Sequence, residues 1–314
     1  MQLFNYIYTF IYDDFENDLC KLESKYLFNK YDQHKQLFSN IKVEPSISAF
    51  IRKRLDIVLY SEDYNDLINK IKTKNIKIEE FKVEYLKLNN DKTPYKERLN
   101  KLRDVGYNID GIPDYYKPKT TYGIAYNEGI WYFGILIKNK FEWQKHNQKP
   151  FSYSNSLNIN IAKALVNIAS QGNKNTKLLD TCCGVGTIML EACFAGYKIE
   201  GSDINWKVCR QSRANLAHFN YNANVYRSDI KDITLEYDAA IIDLPYNIFS
   251  CADENTTQHI INSATTISNK LIIVSTTDIS NCIKNAKLKV KDSCTITKSG
   301  KTNFSRKVWV CEKI

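Results

Sequence analysis

The sequence has no apolar run approaching the ~18 residues needed to cross a bilayer, so a membrane-spanning helix is not expected. It has no basic start either. MQLFNYIYTFIYDDFEN turns acidic at once, which argues against a secretory signal. Nine cysteines are present without a CxxC pair; only Cys182 and Cys183 are close in sequence, and neighbours rarely bridge. Such usage points to reduced thiols and a cytoplasmic setting rather than a disulfide or zinc framework. His34, His146, His218 and His259 show no ligand spacing, so no metal is expected and all four read as structural or surface residues. Charge is not strongly one-sided. The net +9 divides into +4 over residues 1–150 and +5 over 151–314, which permits a polyanionic partner without demanding one. What remains is a 314-residue chain, 43% hydrophobic and 25% charged, ordinary for a soluble protein and long enough for two domains.

The second half has a regular rhythm. Leu157, Ile161, Leu165 and Ile168 recur at helical spacing in SLNINIAKALVNIAS, and Gly172 supplies a stop. KLLD (177–180), KIEGSD (198–203), NVYRSD (224–229), DAAIID (238–243) and KLIIVSTT (270–277) read as strands, with TIMLEACFAG and NWKVCRQSRANLAHFN as helices between the first three. KLKVKDSCTITK and RKVWVCEKI close the chain as a hairpin around SGKTN. This alternation predicts an α/β domain with a doubly wound, mostly parallel sheet and a terminal antiparallel hairpin. The first half reads as a separate α+β domain, with helices over DFENDLCKLESKYLF, EDYNDLINKIKTK and YKERLNKLRDVG. TTYGIAYN and IWYFGILIK form a hairpin around Asn127–Gly129. The expected division is 1–140, a polar linker at 141–150, and 151–314. Ile51-Arg52-Lys53-Arg54 reads as the solvated face of a helix, and the aromatics of TTYGIAYNEGIWYFG as strand core, with Tyr122 or Trp131 as candidates for stacking on RNA.

Four acids carry the chemistry. Asp180, Asp203, Asp229 and Asp243 end successive parallel strands, where a doubly wound sheet opens its ligand crevice. One such acid is commonly a helix cap; four in order, the first followed by Gly184 and Gly186, are harder to dismiss. The glycines allow close backbone approach and open a helix N-terminus. Met189 stands where a dinucleotide fingerprint places its third glycine, which argues against NAD or FAD. Asp203, 23 residues after Asp180, suits a ribose diol, and Asp229 an exocyclic adenine amine. That set describes S-adenosylmethionine better than a nicotinamide cofactor. The fourth acid opens a peculiar turn, IIDLPYN (241–247). A solvated turn explains Asp, Pro and Asn, but not a tyrosine held beside the acid. Side by side, the Asp243 carboxylate and the Leu244 carbonyl would orient a donor group held between them, and Pro245 would fix the turn.

LLDTCCGVGT resembles the first motif of class I methyltransferases, and DLPY the [DN]PP[YF] motif of amino-group methyltransferases. From KPFSYSNSLNINIAKALVNIAS through DLPYN the chain is similar to the tRNA guanine-N2-methyltransferases that modify guanosine 10. FKVEYLKL, YKERLNKLRDVGYNIDG and KPKTTYGIAYNEGIWYFG resemble, more faintly, a THUMP domain, over about 78–138. The resemblance implies a Rossmann-like seven-stranded catalytic sheet, tRNA as partner, and Asp243, Leu244, Pro245 and Tyr246 at the reacting amine. It further implies a cofactor set of Asp180, Cys182, Gly184, Gly186, Thr187, Asp203, Ile204, Asp229 and Ile230, with Tyr153 and Ser156 as a cover. Cys182 and Cys183 fill the family's Pro and Phe positions and read as packing against the cofactor. Leu244 replaces the family's first proline, which loosens the turn and bears on substrate choice. A monomer or weak dimer is expected, with an activator subunit left open.

Three other readings compete. Adenine N6-methylation uses the same acid-Pro-Tyr chemistry, but only 67 residues follow Asn247, too few for a recognition domain beyond the remaining strands. Recognition is therefore expected from the N-terminal half, as in the RNA enzymes. A protein glutamine N-methyltransferase fits a basic two-domain chain less well. A non-catalytic RNA-binding protein on this fold would be expected to have lost the glycines or the acid, and Gly184, Gly186, Asp203 and Asp243 all stand.

Overall fold

The computed structural model describes residues 4–153, 156–247, 250–251, 254–298 and 304–314. Along the first half run β1 (Tyr6–Phe10), α1 (Asn17–Phe28), β2 (Gln36–Ser39), β3 (Ile51–Ser61), α2 (Tyr64–Lys74) and β4 (Lys77–Tyr85). They are followed by α3 (Tyr95–Tyr107), β5 (Asp110–Pro113), β6 (Thr120–Asn127) and β7 (Ile130–Lys138). The second half contributes α4 (Ile159–Ser170), β8 (Lys177–Asp180), α5 (Thr187–Phe194), β9 (Lys198–Asp203), α6 (Trp206–His218), β10 (Val225–Arg227) and β11 (Ala239–Asp243). Then come β12 (Tyr246–Asn247), β13 (Ser250–Cys251), α7 (Glu254–Ile267), β14 (Lys270–Ser275), α8 (Ser280–Asn285), β15 (Leu288–Lys298) and β16 (Phe304–Lys313). The SGKTN turn lies outside the described residues.

Two compact units divide the chain, and their boundaries differ from those expected. One comprises Met1–Ile11, Asp32–Pro45 and Ile51–Lys140; the other Tyr12–Tyr31, Ser46–Phe50 and Phe141–Ile314. The reason lies in side chains. Leu19, Leu22 and Leu27 bury the apolar stripe of α1, and its buried Glu23 accepts hydrogen bonds from Ser48 Oγ (2.6 Å) and Asn167 Nδ2 (2.7 Å), all within the second unit. The polar stretch expected as a linker is also built in. Residues 142–148 form a 3-10 helix with Trp143 and His146 buried. Buried His146 sets Nδ1 2.6 Å from Glu191 Oε1 and Nε2 3.0 Å from the Tyr221 hydroxyl. Lys163 donates to the other Glu191 oxygen at 3.2 Å. Buried charges persist only when paired in this way.

The first unit is a seven-stranded sheet, ordered β2-β1-β3-β7-β6-β4-β5. Leu67, Ile71 and Val105 from α2 and α3 close a core with Phe81, Ile124 and Phe133. Glu128 (φ 48°) and Gly129 (φ 88°) make the expected β6–β7 turn, both left-handed as a two-residue hairpin needs. Ile51–Arg54 begins a strand rather than a helix. Arg54 is buried, paired with Asp56 (2.5 Å) and Glu44 (3.0 Å). Tyr122 and Trp131 are buried in the core, so neither is presented for stacking on a base.

The second unit's sheet is ordered β10-β9-β8-β11-β14-β16-β15, with parallel pairing from β10 to β14 and antiparallel β16 between β14 and β15. Central strands β11 and β14 read AAIID and KLIIVS, near-continuous apolar runs, as a sheet covered on both faces requires. Its expected seven strands and terminal hairpin are all present. Among the described residues no helix is long and apolar enough to cross a membrane.

Candidate active site

Register brings the acids together. Asp180 pairs with both Gly201 and Ile241, and Asp243 pairs with Val274. Because side chains alternate along a strand, Asp203, two residues after Gly201, and Asp243, two after Ile241, share one face of the sheet with Asp180. Asp180, Asp203 and Asp243 are the last residues of β8, β9 and β11, at the carboxyl end where a doubly wound sheet opens. Asp229 falls two residues past the end of β10 and caps a short 3-10 turn, accepting from the Lys231 amide at 3.1 Å. His259 Nε2 lies 3.5 Å from the same oxygen.

Between β8 and α5 the loop turns on two left-handed glycines, Gly184 (φ 50°) and Gly186 (φ 82°). They differ in what they leave open. A Cβ on Gly184 would meet nothing within 4 Å, whereas one on Gly186 would stand 2.3 Å from Ser212 Oγ. Gly186 therefore serves the approach of the loop to α6, and Gly184 borders free space. Asp203 secures the loop, accepting from the Gly184 amide at 3.1 Å and from the Asn205 amide at 2.9 Å.

Asp180, Cys182, Cys183, Gly184, Thr187 and Asp243 line a small recess together with Ser156, Leu157 and Ile188. Its polar groups are short of partners. Neither Asp180 oxygen has a well-formed hydrogen bond among the described residues, although the Cys182 amide eases its charge; Thr187 Oγ1 and Asp243 Oδ1 are likewise buried without one. Burial, and then the Asp243 and Asp203 charges, push the Asp180 carboxyl well above the usual carboxylate range. Burial raises Asp243 to about 7, against the pull of the Arg306 guanidinium. It also raises both thiols, Cys182 to about 12, so neither is a nucleophile at neutral pH.

These buried polar groups suit a small polar cofactor. Buried polar groups without partners are rare unless a ligand or water completes them, and a cation beside Asp180 would replace the hydration it has lost. Among the described residues no cluster of three His, Cys, Asp or Glu side chains could hold a metal ion.

Other members of the expected set lie away from the recess. Ile204 is exposed and Ile230 is buried in the apolar core below the sheet. Tyr153 is half-exposed; its hydroxyl donates to Gln211, and its amide meets Ser156 Oγ at 3.3 Å. In the DLPYN turn the Leu244 amide donates to the Val274 carbonyl at 3.1 Å and its side chain is buried, while Pro245 is exposed. Tyr246 pairs through its backbone with Cys251; its side chain lies outside the described residues.

Two residues were missed from sequence. Asn215, fully buried on α6, exchanges hydrogen bonds with both backbone groups of Phe151 (2.9 Å each) and donates to the Val185 carbonyl at 2.9 Å. It ties the segment before α4 to the glycine loop. Its signal was a polar residue in the apolar phase of NLAHF. The other is Arg306, far along the chain in β16, for which no local pattern speaks.

Residues 146–301 match the family of the RMKL-like methyltransferase domain, UPF0020. A tRNA (guanine(10)-N2)-dimethyltransferase of Methanothermobacter thermautotrophicus is 32% identical over 117 residues, covering 36% of this chain and 34% of that protein. A probable enzyme of the same name from Methanothermococcus thermolithotrophicus is 33% identical over 106 residues, covering 30% of this chain and 65% of that one. The matched stretch thus spans about a third to two thirds of these relatives' lengths. Among solved structures, TrmN from Thermus thermophilus aligns over 98% of this chain and 99% of its own, at 15% identity and a TM-score of 0.49. The second half of this chain accordingly matches a methyltransferase family domain, and the chain resembles the tRNA guanine-N2-methyltransferases.

Proposed function

We propose that the protein is an S-adenosylmethionine-dependent methyltransferase acting on the exocyclic N2 amine of a guanosine in tRNA. The observation that carries this reading is the convergence of Asp180, Asp203 and Asp243 on one sheet face around a glycine loop, with buried carboxylate oxygens unsatisfied. Family match and relatives support the same chemistry. Asp203, Gly184 and Thr187 would hold the cofactor, with Asp180 facing its cationic part. Bound there, the cofactor supplies an electrophilic methyl group.

The remaining work falls to this chain. Asp243, ionised, accepts a hydrogen bond from the guanine amine and fixes the nitrogen lone pair towards the donor site. The Leu244 carbonyl accepts the second N–H, and its buried side chain holds the turn in place of a proline. The product ammonium loses its proton to Asp243 or to water. Tyr246 stacks on the flipped base.

RNA recognition falls to the first unit, where an exposed aromatic surface lies beside basic groups. Tyr107, Tyr115 and Tyr116 are 81%, 70% and 94% exposed. Tyr107 and Tyr115, with Lys82 and Arg103, border a groove between α3 and β4–β5. Planar rings beside cations suit unpaired bases and phosphates. Nucleoside mass spectrometry of tRNA from a strain lacking the gene tests the whole reading. Loss of N2-methylated guanosine, restored by the wild-type gene and not by Asp243→Ala, supports it; an unchanged nucleoside profile overturns it.

A further inference from the structure

Arg306 stands on the sheet face that carries the acids. Asp243 pairs with Val274, which pairs with Val308. Arg306 precedes Val308 by two residues, so it shares their face, and antiparallel β16 carries it outward past the carboxyl end of β14. Two strand spacings, about 10 Å, separate the β11 and β16 backbones, near enough for the guanidinium charge to act on Asp243. The side chain is half-buried, and its charge acts on Asp243. Lys307, next in sequence, points to the opposite face and lies over the Trp309 ring at 3.7 Å.

The geometry points to Arg306 as a positioning residue that holds the Asp243 carboxylate ionised and ready to accept the substrate amine. This role rests on the methyl-transfer reading above. The surroundings make it necessary. Asp180 comes from β8, Asp203 from β9 and Cys182 from the loop, and none of them carries a positive charge; β14 contributes apolar Val274, and the Tyr246 side chain lies outside the described residues. Among these neighbours Arg306 alone is cationic. A carboxylate raised by burial binds a proton near neutral pH, and a protonated Asp243 would offer the amine a donor where it needs an acceptor. The Arg306 charge on the same face works against that tendency, while burial still leaves Asp243 at about 7. Arg306 touches neither methyl donor nor base in this role; it acts through Asp243.

Two measurements test this, and one needs no substrate. Carbon-detected NMR of aspartate-labelled protein follows the Asp243 carboxyl as pH is raised. Arg306→Gln should move its midpoint up by about 1 pH unit, and Arg306→Lys should keep it within about half a unit. With RNA and methyl donor, Arg306→Gln should lose about 5-fold in rate at pH 7 and recover to within about two-fold of wild type at pH 9. A purely structural residue would lower the rate at every pH. If Arg306→Gln fails to fold, Arg306→Lys decides: a midpoint raised by the full unit overturns the role. An unmoved midpoint in folded Arg306→Gln overturns it as well. A midpoint that moves in a protein that methylates no RNA leaves the electrostatic pairing standing and removes the enzymatic reading instead.

Discussion

Asp180 and Asp243 end adjacent parallel strands on one face of the sheet, and the charge of Asp243 helps to push the Asp180 carboxyl above the usual carboxylate range. Burial makes the larger contribution to Asp180, and burial also raises Asp243 to about 7. Of the two acids, Asp243 is thus the one that titrates near neutral pH.

The first prediction is a pH dependence. Asp243 works as an acceptor only when ionised, so methyl transfer should rise with pH through about 7 and then level off. Stability moves the other way. A folded-state value raised above the ordinary one favours the protonated folded protein, so the stabilisation from this group is full at low pH and is lost as pH rises through about 7. Asp243→Asn should therefore flatten the stability profile and raise stability at pH 8, by roughly 1–3 kcal/mol, in urea melts at pH 5 and pH 8. A larger gain at pH 5 would contradict the assignment.

Cofactor affinity is the second. Asp203→Ala removes the anchor of the Gly184 amide and, on the proposed reading, an acceptor for the ligand, so calorimetry should show S-adenosylmethionine bound about 2 kcal/mol more weakly. Unchanged affinity would take Asp203 out of the site.

The third concerns Gly186, and the structure changes its meaning. From sequence, a side chain there would be expected to fill ligand space. Its Cβ would instead strike Ser212 Oγ. Gly186→Ala should cost about 1–3 kcal/mol of stability even without ligand, from the clash and the left-handed backbone together. Ser212→Ala should restore part of this loss in thermal melts, because the clash is relieved and the backbone strain remains. A wild-type melting temperature in Gly186→Ala would contradict both.

RNA binding supplies the fourth. Tyr115→Ala and Tyr116→Ala should each weaken RNA binding by about 1–3 kcal/mol while leaving the slope of log K against log salt unchanged. Arg103→Ala should lower that slope by about 1 if it contacts a phosphate. Salt titrations followed by fluorescence separate the two effects; tyrosine variants that bind as wild type would move the RNA surface elsewhere.

Local structure was legible in the sequence wherever it followed the chain. Asp180, Asp203 and Asp243 close their strands as the LLD, GSD and IID patterns suggest, and the hairpin at Glu128–Gly129 forms as NEG suggests. Pairing across the chain was not legible. α1 joins the second unit because Glu23 meets Ser48 and Asn167, and residues 142–148 fold against the methyltransferase-family domain because His146 meets Glu191. Each is polar in sequence and buried in fact, so composition misplaces it. Arg54 was misread for the same reason, and α7 (Glu254–Ile267) escaped notice behind polar ENTTQ.

The most direct test of the central claim is methyl transfer to a tRNA transcript from isotopically labelled S-adenosylmethionine, followed by nucleoside mass spectrometry. The expected result is label on guanosine N2 with wild type, and at least ~100-fold less with Asp243→Ala, whose cofactor binding is retained. Label on adenosine N6, or Asp243→Ala methylating at the wild-type rate, would contradict it.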